Sequence, residues 1–143
     1  MKFSFFIDKD HDEEVIVYSH EESELINEIR SLVASKQTTL YGYTENEVIV
    51  INPSETECFI IEDNKVYAQS GNGKLRVKER LYQLEEILPD HFIKINQSCL
   101  CNIRKIQKFD VSFSGSLRVI FKSGYCDYVS RRNVKNVKER LGL

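Results

Sequence analysis

Hydrophobic residues change their spacing twice along this chain, and each change predicts a different kind of element. Leu25, Ile26, Ile29, Leu32 and Val33 recur at helical spacing and put one apolar stripe on one side of a helix. Ser19, His20, Glu21 and Glu22 ahead of them read as a capping box, with acids in the first turn that suit the helix dipole. Upstream, residues 3–7 and 15–18 are short apolar runs that predict two strands joined by an acidic turn over residues 8–14.

From residue 40 onward the period is two. Residues 48–51 form a continuous apolar strand stopped by Asn52 and Pro53, and residues 58–61 form another, followed by the polar Glu62, Asp63, Asn64 and Lys65. Residues 66–70 and 74–77 flank Gly71, Asn72 and Gly73, a hairpin signal. Residues 78–88 predict a short helix with Leu81, Leu84 and Leu88 on one side and Pro89 as its stop. A strand follows at 92–95, and 97–101 fits a strand or a helical turn. Residues 109–113 alternate, turn at Ser114 and Gly115, return over 117–121, and turn again at Ser123 and Gly124 into 125–129. Ser130 then caps a final helix with Val134, Val137 and Leu141 facing inward.

The predicted fold class is mostly β (α+β). A small strand–strand–helix extension, residues 1–39, precedes a β domain with short helices, residues 40–143, with the seam within 38–46. The length of 143 residues suits about one domain by the usual prior of roughly 100–200 residues, and 41% hydrophobic residues can build a core.

Charge sharpens the division. The net charge is −2, but residues 1–63 hold 15 acids and 4 bases, a net of −11. Residues 64–143 hold 7 acids and 16 bases, a net of +9. Such asymmetry points to a basic binding surface, although grouped charges also occur on plain solvated faces. No apolar run approaches the roughly 20 residues needed to cross a bilayer. The apolar start is too short, and too soon acidic, for a signal peptide. Cys58, Cys99, Cys101 and Cys126 form no C-x-x-C pair and lie in strand-like runs, which suits reduced cysteines of a cytoplasmic protein. His11, His20 and His91 stand at no ligand spacing, so no metal and no cofactor are expected.

Candidate chemistry gathers in the basic half. On the final helix Val134, Val137 and Leu141 cluster within about 60° of one another at 100° per residue. Arg132, Lys135, Asn136 and Glu139 occupy the opposite face. An arginine beside a helix N-terminus can take a guanine edge while the helix amides hold a phosphate. Asn96 and Gln97 can each pair with an adenine edge, with Ser98 or Lys94 on phosphate, although Asn and Ser are also ordinary turn residues. Asp63, Asn64 and Lys65 form a third polar segment, equally well read as a hairpin tip. An enzyme is not expected. Gly71, Asn72, Gly73 and Lys74 lack the spacing of a phosphate loop, and no nucleophile–base–acid set stands out. A protein-interaction or dimerisation module without sequence-specific DNA binding is the alternative, with the apolar face of the first helix as its interface.

These segments together resemble a known family. Residues 92–103, Phe-Ile-Lys-Ile-Asn-Gln-Ser-Cys-Leu-Cys-Asn-Ile, are similar to the F-[IV]-[RK]-[IC]-x-x-S-x-[LVI]-V-N-[LI] signature of the LytTR DNA-binding domain of bacterial transcription regulators. Ile106, Gly115, residues 117–121, Gly124 and the run Val129-Ser-Arg-Arg-Asn-Val-Lys follow in the family's order, and the likeness covers residues 45–141. It implies an elongated β domain whose loops enter successive major grooves of double-stranded DNA. By motif position it implies Gln97, Asn96 beside it, Arg132 and, in the earlier loop, Lys65 as base readers. Asn64, Lys94, Ser98, Ser130, Arg131, Asn133 and Lys135 are the implied phosphate contacts. Many relatives carry an upstream receiver domain of roughly 100 residues. Only about 40 precede the seam here, so the chain resembles the stand-alone form, and its extension is expected to support a homodimer, at least on DNA.

Overall fold

The computed structural model of the chain describes residues 2–10, 14–35, 39–112 and 114–143. It divides into two compact units, Met1–Lys36 and Gln37–Leu143.

In the first unit, helix α1 (Glu24–Ser35) carries the expected apolar stripe. It begins later than the sequence predicts. Ser23, rather than Ser19, is the cap: its hydroxyl accepts from the Ile26 amide at 3.4 Å and its carbonyl from the Asn27 amide at 3.2 Å. Ser19 instead closes a local turn, donating to the Glu21 carbonyl at 2.7 Å. Ser23 wins because it stands directly before the stripe, where its oxygen reaches the orphan amides of the first turn. The two strands expected at 3–7 and 15–18 are a second correction. Among the described residues neither forms a ladder, and both runs are exposed. A lone two-stranded ribbon is marginal in water without a third strand or a covering layer. The turn expected between them falls partly on residues 11–13, outside the described residues.

The second unit is built on β1 (Leu40–Tyr43), β2 (Val48–Ile51), β3 (Cys58–Glu62), β4 (Lys65–Ser70), β5 (Gly73–Val77), α2 (Leu81–Ile87), β6 (Phe92–Asn96), β7 (Cys99–Asn102), β8 (Ile106–Val111), β9 (Leu117–Phe121), β10 (Cys126–Val129) and α3 (Arg131–Leu141). One antiparallel sheet has the order β2-β1-β5-β4-β3-β7-β6, and a second has the order β10-β9-β8. The expected mostly β architecture is present. Strand β1 was missed because it lies inside the stretch read as a seam, and its four residues include the glycine Gly42.

Alternation along the central strands feeds two cores. Phe59, Val66, Ala68, Phe92 and Leu100 face α2 with Leu81 and Leu84. Their neighbours Cys58, Ile60, Ile93, Ile95, Cys99 and Cys101 face the other way, onto Leu117, Val119, Phe121, Val129 and Val137 of the small sheet and α3. A strand covered on both faces reads as an unbroken apolar run, which is why residues 58–61 lack polar alternation. The second core also explains three of the cysteines, which are fully buried; a hydrogen bond with Cys58 and then burial raise the thiol pKa of Cys99, and burial raises that of Cys101. Glu57 ties the layers together, its carboxylate accepting from the Ser123 hydroxyl at 2.6 Å and amide at 3.3 Å.

Candidate nucleic-acid interface

Strand pairing brings the three candidate segments to one end of the β unit. In the β3–β4 hairpin Glu62 pairs with Lys65, so Asp63 and Asn64 form a two-residue tip. Both have positive φ, 51° and 61°, the geometry of a type I′ turn that Asp and Asn tolerate better than most side chains. In β3–β7 pairing Ile60 lies opposite Cys99, and the Ile61 amide donates to the Ser98 carbonyl at 2.8 Å. The β6–β7 tip at Gln97 and Ser98 therefore sits beside the β3–β4 tip. The start of α3 joins them through the Ser130 amide, which donates to the Ile95 carbonyl at 2.8 Å. That carbonyl is freed by a bulge, since the β6–β7 register shifts between Lys94 and Asn96. Bulges of this kind re-aim the following residues at a site.

Within this end, exposed and buried residues have different roles. Gln97, Ser98, Asn64, Lys65, Arg131, Arg132 and Lys135 are exposed, and Lys94, Ser130 and Asn133 are half-buried. Asn96 departs from its expected role as a base reader. Its side chain is 2% exposed and already committed: Nδ2 donates to Asp127 Oδ1 at 3.0 Å and to the Tyr128 carbonyl at 2.8 Å, while Oδ1 accepts from the Ser98 amide at 2.8 Å. A carboxamide spending both ends inside the protein has nothing left for a base edge. It positions the Gln97 tip against β10 instead.

Asp127 and Tyr125 are supporting residues that the sequence reading missed. The Tyr125 hydroxyl donates to Asp127 Oδ2 at 3.1 Å. Burial, with the Asp127 charge beside it, pushes the Tyr125 phenol well above its ordinary range, so it stays a donor. The signal for both is the alternation Tyr125, Asp127, Val129, which puts an acid on the inward-facing side of a strand.

Helix α3 begins as expected at Ser130, with one difference. The Ser130 hydroxyl does not cap a backbone amide; it accepts from Asn133 Nδ2 at 2.9 Å. The amides of Arg131 and Arg132 thus have no side-chain cap, and they open beside two exposed guanidinium groups. Uncapped helix amides with the positive dipole end suit a phosphate oxygen. Val137, fully buried, holds the opposite face of α3 in the core.

The sequence profile of the LytTr DNA-binding domain family matches residues 46–142. The chain belongs to the LytTR family. An uncharacterised HTH-type transcriptional regulator of Staphylococcus aureus strain N315 is 36% identical over 149 aligned positions, covering 100% of this chain and 99% of that one. Its counterpart in strain NCTC 8325 is 34% identical over 146 positions with the same coverage. Among solved structures, the LytTr DNA-binding domain of a Bacillus cereus protein described as a methyl-accepting/DNA response regulator superposes with a TM-score of 0.69 at 20% identity. It covers 74% of this chain and 99% of that domain, and it shows the shared fold. The staphylococcal relatives are named as HTH-type, that is helix-turn-helix, regulators. Among the described residues of the LytTR chain no such pair exists, because five strands, β6 to β10, separate α2 from α3. No helix among the described residues is long and apolar enough to cross a membrane.

Proposed function

We propose that the protein is a bacterial transcription regulator that binds promoter duplex DNA in the cytoplasm, with loops entering successive major grooves. The observation that carries this reading is the meeting of the β3–β4 tip, the β6–β7 tip and the uncapped start of α3 at one end of a sheet unit. Lys65, Gln97 and Arg132 are the proposed base readers. Lysine and arginine suit guanine edges and glutamine suits adenine. Asn64, Lys94, Ser98, Ser130, Arg131, Asn133 and Lys135 are the proposed phosphate contacts, which fix register without reading sequence. The basic balance of residues 64–143 supports the same partner. Titrating the full chain with duplex DNA over a range of salt tests it. The log–log slope should steepen by about 0.9 per phosphate contacted, and a slope near zero would exclude this mode of binding.

We further propose that residues 1–39 make a homodimer, at least on DNA. The supporting observation is the amount of apolar surface in that unit: Phe3, Phe6 and Ile7 are each at least 86% exposed, and Leu32 and Val33 of α1 at least half exposed. Isolated apolar groups are common on surfaces, but apolar exposure concentrated in one short run, as over residues 3–7, is a feature of interaction sites.

A further inference from the structure

Beside the two hairpin tips lies a cleft of ≈ 710 Å³ that starts at Asn64, Lys65 and Lys94 and reaches past the reading segments to Arg76, Lys78 and Arg80. Its lining includes Lys65, Arg76, Lys78, Arg80 and Lys94, set against the single carboxylate of Glu79. Ion pairs recorded among the described residues, Arg30 with Glu22, Lys74 with Glu62 and Arg118 with Asp110, leave these five cations unpaired. Lys78 has an aromatic neighbour, its ammonium standing 4.4 Å from the Tyr43 ring centre. Glu79 Oε2 is buried with no hydrogen-bond partner. Five like charges in one concavity repel one another, and concave walls focus their field on whatever enters.

We propose that this cleft grips a backbone phosphate of the duplex, beyond the bases that the tips read. The proposal rests on the DNA-reading function and extends its footprint. Continuity with the reading end selects DNA as the occupant. Lys65 directly follows the Asp63–Asn64 tip and also lines the cleft; Lys94 precedes the Gln97–Ser98 tip and lines it from the other side. A strand held by both tips passes the cleft mouth without leaving the protein. Arg76 and Arg80 supply planar donor forks that match phosphate oxygens, and the ammonium groups act as point charges around them. These contacts carry no base information, so they add affinity to every duplex alike.

The test uses the full chain and the double variant Arg76→Gln, Arg80→Gln. Both side chains are exposed, and the start of α2 is capped through the Arg80 backbone amide, which donates to Gln83 Oε1 at 2.9 Å. The fold should therefore survive, as a thermal melt will confirm. In salt titrations the variant's log–log slope should fall by about 0.9 for each phosphate released, with the selected sequence unchanged. A duplex carrying a neutral methylphosphonate at the gripped phosphate should weaken the wild type and leave the variant unaffected. Equal slopes and equal methylphosphonate profiles would overturn the cleft while leaving sequence reading intact. Thermal protection of the wild type alone by pyrophosphate, with equal methylphosphonate profiles, would assign the cleft to a free anion and overturn the strand. A wild-type chain that selects no sequence would remove the reading on which the proposal rests.

Discussion

The carboxamide of Asn96 holds three groups at once, whereas that of Gln97, one residue on, is exposed and uncommitted to the protein in any recorded bond. Their substitutions should separate cleanly. Asn96→Ala strands the Ser98 amide and part of Asp127, so it should lower stability by about 1–3 kcal/mol, visible as a reduced melting temperature, and weaken all duplexes together. Gln97→Ala should melt like the wild type and lose preference at a defined part of the site, at about 1–3 kcal/mol per base contact. A stable Asn96→Ala that changed only sequence preference would restore Asn96 as a reader. That Gln97, Arg132 and Lys65 stand at ends of strands or helices was legible from the sequence, because each is a polar residue beside an apolar run. Which of two adjacent carboxamides faces outward was not, since it depends on a one-residue bulge and on Asp127, 31 residues away in the chain.

At the scale of elements, the β3–β4 tip depends on two consecutive left-handed residues, Asp63 and Asn64. Asn64→Val should cost about 1–2 kcal/mol, because a β-branched side chain is poorly tolerated there. A shift of the urea midpoint, together with weaker DNA binding, would show it. Gly42 in β1 meets a different constraint: a Cβ there would lie 2.7 Å from Leu75 Cβ. Gly42→Ala should therefore overpack the β1–β5 contact and destabilise by about 1–3 kcal/mol, read from the same urea titration. Strands β2 to β7 and the terminal helix were close to their sequence expectations because local pattern and burial agree in them. The misses have physical causes. Strand β1 carries a glycine demanded by close packing, which local pattern cannot reveal. Residues 3–7 and 15–18 have strand composition but form no ladder among the described residues, and composition alone cannot supply a partner.

Across the whole molecule, an acidic half with exposed apolar residues precedes a basic half that carries the proposed reading end. The apolar residues predict that the chain sediments as a dimer at micromolar concentration with operator DNA, and that Ile29→Glu, on the half-buried side of α1, returns it to a monomer. A wild-type chain that stays monomeric at high micromolar concentration, with or without DNA, would leave residues 1–39 as an element of the single chain. The central claim, that one end of the β unit reads duplex DNA through separate segments, is tested most directly by selection from random duplexes. The wild type, Gln97→Ala and Arg132→Ala should each be sequenced to a logo at fixed salt. The wild type should enrich a defined site, and each variant should lose information in its own block of positions. Three identical logos, or no enrichment by the wild type, would contradict it.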